Sequence, residues 1–216
     1  MNAGLAALLL AATTGAAIAD ARPAVLDWLI AASDDPGRTV VDLGEYHLDG
    51  SGVVALDPLI GLATQPVPGL PAGPARTHVV MTREDGYDYA AALVLVLADD
   101  EPACGASHGV VGVDTGLAAL INHSDAAKLE AYAGILDLTG SDLFTALEAQ
   151  LPIEGNAAVV TLPDGTRLPI SRSGFGDGAY HLFRLNDAQG APVALYVDFT
   201  GDRKGEWIDP PPCANV

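Results

Sequence analysis

The chain has 216 residues, half of them apolar, with 28 acidic against 10 basic side chains and a formal net charge of −18 at pH 7. A chain of this length can bury a core of its own, and its charge argues against nucleic acid or an anionic membrane surface as partner, since both require a basic face. What such a surface attracts is positive: a basic protein, a cationic ligand or a metal ion.

Residues 1–19 read as a secretory signal peptide. An uninterrupted apolar run over 5–12 is too short to span a membrane, and small residues follow, with Ala17-Ile18-Ala19 and Ala19-Asp20-Ala21 both fitting a cleavage site. No Lys or Arg precedes the run. The expectation is an exported, periplasmic or extracellular protein with no stable membrane span after cleavage. Export would place Cys104 and Cys213, the two cysteines of the chain, in an oxidising compartment, where they would form one disulfide. That bond would tie a proline-rich tail, 209–216, onto the body. Two thiols alone are too few for a structural zinc site.

Residues 24–33 predict a short helix with Val25, Trp28 and Leu29 on one face and Pro23 near its start. From Thr39 the pattern becomes extended, with a turn at 49–52 and an end at Asp57, whose following Pro58 disfavours helix. Residues 65–74 hold four prolines and two glycines and predict a loop. Residues 78–83 and 90–98 predict strands joined through 84–86. The wholly apolar 93–97 reads as a central strand buried on both faces. A short strand over 110–113 ends at Asp114. The apolar run 117–122 reads as the beginning of a helix, and 125–133 and 141–150 have helical composition, with Ser141 and Asp142 as an N-cap signal. Residues 157–162 and 167–170 predict a hairpin through Asp164-Gly165.

The stretch that organises the chain is 171–180. Three glycines in five residues, Gly174, Gly176 and Gly178, mark backbone that takes conformations closed to side chains or lies against another group. It feeds two strands, 181–185 and 193–199, joined by a polar loop. Strands, then helices, then strands predict one α+β domain over 20–208. Its sheet would be mainly antiparallel or mixed, with a helical insertion around 125–150.

Four aspartates, Asp57, Asp114, Asp177 and Asp198, close extended segments or sit in glycine turns. Converging, they would hold a divalent cation or poise one carboxyl as an acid or base. Apart, each would accept backbone N–H bonds and hold its own turn, the simpler reading. No cofactor is expected, with a divalent cation as the alternative. Gly105-Ala106-Ser107-His108-Gly109 has the letters of a hydrolase nucleophile elbow. It lacks the strand before and the helix after that the elbow requires. His47, His78, His108, His123 and His181 have no metal-ligand spacing. The glycines at 174, 176 and 178 lack the setting of a dinucleotide loop.

Three stretches resemble, in order, an uncharacterised bacterial family catalogued as domain of unknown function 4241. They are Gly50-Ser51-Gly52-Val53-Val54-Ala55-Leu56-Asp57-Pro58-Leu59, then Gly112-Val113-Asp114-Thr115-Gly116, then Ser173-Gly174-Phe175-Gly176-Asp177-Gly178-Ala179-Tyr180 with Val197-Asp198-Phe199 beyond. The resemblance spans about 45–199. It departs at Leu117-Ala118-Ala119 and at Asn122, where an aspartate would be expected. It implies a domain extent and no activity. The functional expectation is therefore an exported acidic binding or interaction protein without catalytic activity. The alternative is a hydrolase built on the aspartates.

Overall fold

Neighbouring residues of the apolar run 93–97 enter different cores: Leu93 and Leu95 one, Val94 and Val96 another. A strand buried on both faces must do this, because successive side chains point to opposite sides. The computed structural model describes residues 22–32, 37–151, 156–201 and 209–213. The expected signal peptide lies outside the described residues.

In chain order the elements are α1 (Ala24–Ala31), β1 (Thr39–Leu48), β2 (Val53–Leu56), β3 (Gly73–Glu84), β4 (Tyr87–Val96), β5 (Cys104–Val113), β6 (Leu117–Asn122), α2 (His123–Thr139), α3 (Leu143–Glu148), β7 (Ala157–Thr161), β8 (Arg167–Arg172), β9 (Gly178–Asn186) and β10 (Pro192–Asp198). Two antiparallel sheets form, one ordered β1-β3-β4-β10-β9-β5 and the other β2-β6-β8-β7. They stack face to face. Leu93, Leu95, Tyr180, Leu195 and Val197 of the larger sheet share a core with Val53, Ala55, Ala118 and Leu120 of the smaller. Helix α1 covers the outer face of the larger sheet, burying Val25, Leu26 and Leu29, with Trp28 against Tyr196. Helices α2 and α3 cover the outer face of the smaller sheet through Leu129 and Leu147. The fold is α+β and mainly antiparallel, with its helical insertion in the region expected.

The strand expected over 110–113 begins at Cys104, and a second expectation is corrected outright. Residues 117–122 form strand β6, not the start of a helix. Strand β6 runs between β2 and β8, and all six of its residues are buried. Periodicity alone does not separate such a strand from a buried helical turn. The N-cap of α3 is Asp142, which accepts the N–H groups of Phe144 and Thr145.

The chain passes between the sheets four times, at 49–52, 57–72, 114–116 and 173–177. The last passage is the glycine corner. Gly174 has φ +68°, and a Cβ there would stand 2.0 Å from the carbonyl oxygen of Ala90 in β4. The corner is held by Ser173 N–H to Gly116 O at 2.9 Å and by the Ser173 and Tyr180 hydroxyls, both donating to Gly176 O. Phe175 stacks on Tyr89.

Cys104 and Cys213 are bonded, with Cα atoms 4.9 Å apart across 109 positions of sequence. Residues 211 and 212 then lie along the outer edge of β5, where Gly105 N–H donates to Pro211 O at 2.9 Å. Because the bond closes so long a loop, Cys104→Ser is expected to lower stability by about 3–5 kcal/mol. Urea unfolding of the variant against the oxidised protein checks this.

His78 of β3 is buried on the α1 side of the larger sheet. Neither ring nitrogen has a hydrogen-bond partner among the described residues. Burial holds its pKa below the ordinary 6.5, outweighing the exposed Asp42 carboxylate 3.7 Å away, while Arg76 adds to the depression. The unfolded chain therefore binds the proton more readily, and stability falls as pH drops below about 6.5. In His78→Leu, the loss of urea midpoint between about pH 7 and pH 5 is expected to shrink.

Candidate functional site

The four aspartates divide into two buried and two exposed. Asp57, just past β2, is fully buried. Its carboxylate accepts the N–H groups of Leu59, Asp114 and Thr115, each at 3.0 Å, and the Thr115 hydroxyl at 2.8 Å. It thus ties the end of β2 to the passage from β5 to β6. Asp114 supplies a backbone N–H to this knot, and its own side chain is exposed. Asp198 ends β10, buried, with Oδ1 accepting the N–H of Thr200 at 2.8 Å and its hydroxyl at 2.7 Å. Asp177 is exposed in the glycine corner. Among the described residues, no group of three or more His, Cys, Asp and Glu side chains forms a metal-ligand set.

A different group of polar residues does converge. Strand β1 turns Tyr46 inward, and its hydroxyl donates to Asp125 Oδ2 at 2.7 Å while accepting the Asn122 N–H at 2.8 Å. Asn122 Nδ2 donates to the same Asp125 oxygen at 2.9 Å and to His47 O at 3.0 Å. Lys128, one turn along α2, places Nζ 2.8 Å from Asp125 Oδ1. Every buried member of this network has a partner, and the exposed Lys128 adds a charge, which is what makes burial of the Asp125 carboxylate tolerable. Burial first, with the Asp125 carboxylate adding to it, pushes the Tyr46 phenol well above its ordinary value against the lowering by the Asn122 N–H. The phenol stays protonated and remains a donor to Asp125.

The network floors an open cleft of about 340 Å³ lined by Glu45, Asp49, Asp125, Lys128 and Arg167 among others. Asp49 is held down at about 2, first by the Ser124 hydroxyl and then by the hydroxyl and N–H of Ser51, so it is anionic at neutral pH. Lys128 is held above its ordinary value by Asp125. The cleft therefore presents three carboxylates, from β1, the 49–52 passage and α2, facing two cations.

Sequence reasoning reached Asn122 only through the family resemblance and did not single out Tyr46 or Asp125 as site residues. The available signal was local: an aspartate in the first turn of a helix, three residues after Asn122. Its partner Tyr46 is 79 positions away. Ser107 lies within β5, so the elbow geometry is not formed there. Neither a protein-family profile nor any curated protein or solved structure matches the chain.

Proposed function

We propose that this protein is exported and acts as an acidic binding protein for a basic protein or a cationic ligand, within the domain-of-unknown-function family it resembles. The observation that carries the reading is the meeting of Glu45, Asp49 and Asp125 around one open cleft. The chain itself carries 28 acidic side chains against 10 basic. Asp49 is anionic and held in place by Ser51 and Ser124, so a cation meets a preorganised carboxylate there, beside Asp125, which is already paired with Lys128. The disulfide supports export, since such bonds persist in oxidising compartments. Among the described residues, no helix is long and apolar enough to cross a membrane. The hydrolase built on the aspartate group has less support, because the Asp57 carboxylate is taken up by nearby N–H and hydroxyl groups.

Calorimetric titration with a Lys/Arg-rich peptide tests the proposal. Binding is expected at low salt and should weaken steeply when ionic strength rises to about 0.15 M. The pair Glu45→Gln with Asp49→Asn should weaken it by about tenfold, more than Asp85→Asn with Asp100→Asn, two exposed acids outside the cleft. Equal losses from the two pairs would reduce the effect to general charge and remove the cleft from the account. No binding at low salt would remove the function.

A further inference from the structure

Ser107, His181 and Asp198 stand on three neighbouring strands, β5, β9 and β10, on one face of the larger sheet. Asp198 is directly opposite His181 in the β10–β9 register, and Ser107 is opposite Phe183, two residues along from His181. Side chains two apart share a face, so all three project to the side that α1 partly covers. Ser107 Oγ lies 3.0 Å from His181 Nδ1. The imidazole stacks on the buried Phe183 ring, which stacks in turn on Tyr196, so its plane is fixed from beneath. Asp198 is oriented by the N–H and hydroxyl of Thr200. Directly opposed residues of an antiparallel pair have Cβ atoms about 5 Å apart, which makes Asp198 the cross-strand neighbour of His181 on this face.

This corner of the face is open. Val110, opposite His181, is 49% exposed, and the next opposed pair, Gly112 and Ala179, is exposed on both strands. Ser107 is exposed as well. Small side chains thus leave the hydroxyl within reach of solvent and of a small substrate.

We propose that Ser107 and His181 are a nucleophile and general base for acyl transfer from small esters, with Asp198 favouring the imidazolium that forms. With the imidazole protonated on Nε2, Nδ1 accepts the serine proton. Oγ bonds to the ester carbonyl carbon as that proton moves to Nδ1. The tetrahedral adduct breaks its bond to the alcohol oxygen, which takes the proton from the imidazolium and leaves as alcohol. Water, deprotonated by the same nitrogen, then releases the acid and restores the serine. The pair arises from strand register and not from a nucleophile elbow, and it lies outside the acidic cleft.

The test uses the full, disulfide-bonded chain with a fluorophosphonate label and with p-nitrophenyl acetate. The label is expected on Ser107, with His181→Gln slowing it about a hundredfold and Ser107→Ala abolishing it without change in melting temperature. Asp198→Asn should slow ester hydrolysis and move the midpoint of the pH–rate profile to lower pH. Should that buried variant fail to fold, the two substitutions at the open corner decide the matter. Labelling that is as fast in His181→Gln as in the native chain, or that persists in Ser107→Ala, overturns the proposal. An unmoved pH midpoint in a folded Asp198→Asn removes the aspartate from it.

Discussion

Gly174→Ala is expected to lower folding stability by about 3–5 kcal/mol, and the melting temperature by roughly 10 °C. Two costs combine. The residue has φ +68°, a conformation that an L side chain adopts at about 1 kcal/mol. The added Cβ would also stand 2.0 Å from Ala90 O, a main-chain atom in the interior of β4 that has no rotamer by which to move aside. Either β4 or the corner must shift, and both belong to the packed centre. Gly176 is the control. Its φ is +93°, and a Cβ there would meet nothing within 4 Å, so Gly176→Ala should cost only about 1 kcal/mol. Urea unfolding of the two variants separates close approach from backbone conformation.

Asp57→Ala is expected to cost about 3–5 kcal/mol. The substitution leaves three backbone N–H groups and one hydroxyl without their acceptor at a fully buried position. It also cuts the tie between the end of β2 and the passage from β5 to β6, so the loss should fall on the smaller sheet. Asp57→Asn keeps one acceptor oxygen but turns an amide donor toward donors, and should lose about 2 kcal/mol. Asp114→Ala, which removes an exposed carboxylate and keeps the N–H used by Asp57, should change stability by less than about 0.5 kcal/mol. Hydrogen exchange at β6 in Asp57→Ala shows whether the smaller sheet opens first.

The hairpins were legible because their turns carry their own chemistry. Asp85 and Gly86 both take positive φ between β3 and β4, and Asp164-Gly165 turns β7 into β8. The division into two sheets was not legible. A passage between sheets, as at 49–52 or 114–116, uses the same glycines and aspartates as a hairpin turn, so composition does not tell where the next strand pairs. The three stretches of the family resemblance fall on such passages: Gly50 to Leu59, Gly112 to Gly116 and Ser173 to Tyr180 each include a point where the chain leaves one sheet for the other. Aspartates there satisfy N–H groups that no strand ladder can, which accounts for Asp57 without any chemistry. The strand β6 was misread because burial on both faces erases the period of two. The Tyr46–Asp125 and Ser107–His181 pairs join residues 79 and 74 positions apart. Strand register joins the second pair and the packing of β1 against the start of α2 joins the first, and neither is written in a local segment.

Asp57, at the passage that follows β2, is an acceptor for the backbone and not a ligand for a cation. Thermal unfolding of the native chain and of Asp57→Ala, each with excess Ca²⁺ or Mg²⁺ and again with chelator, tests this directly. The native midpoint should be indifferent to cation and chelator, while Asp57→Ala should melt roughly 10 °C lower under every condition. A native midpoint that rises with the cation, and no longer rises once Asp57 is removed, would contradict it.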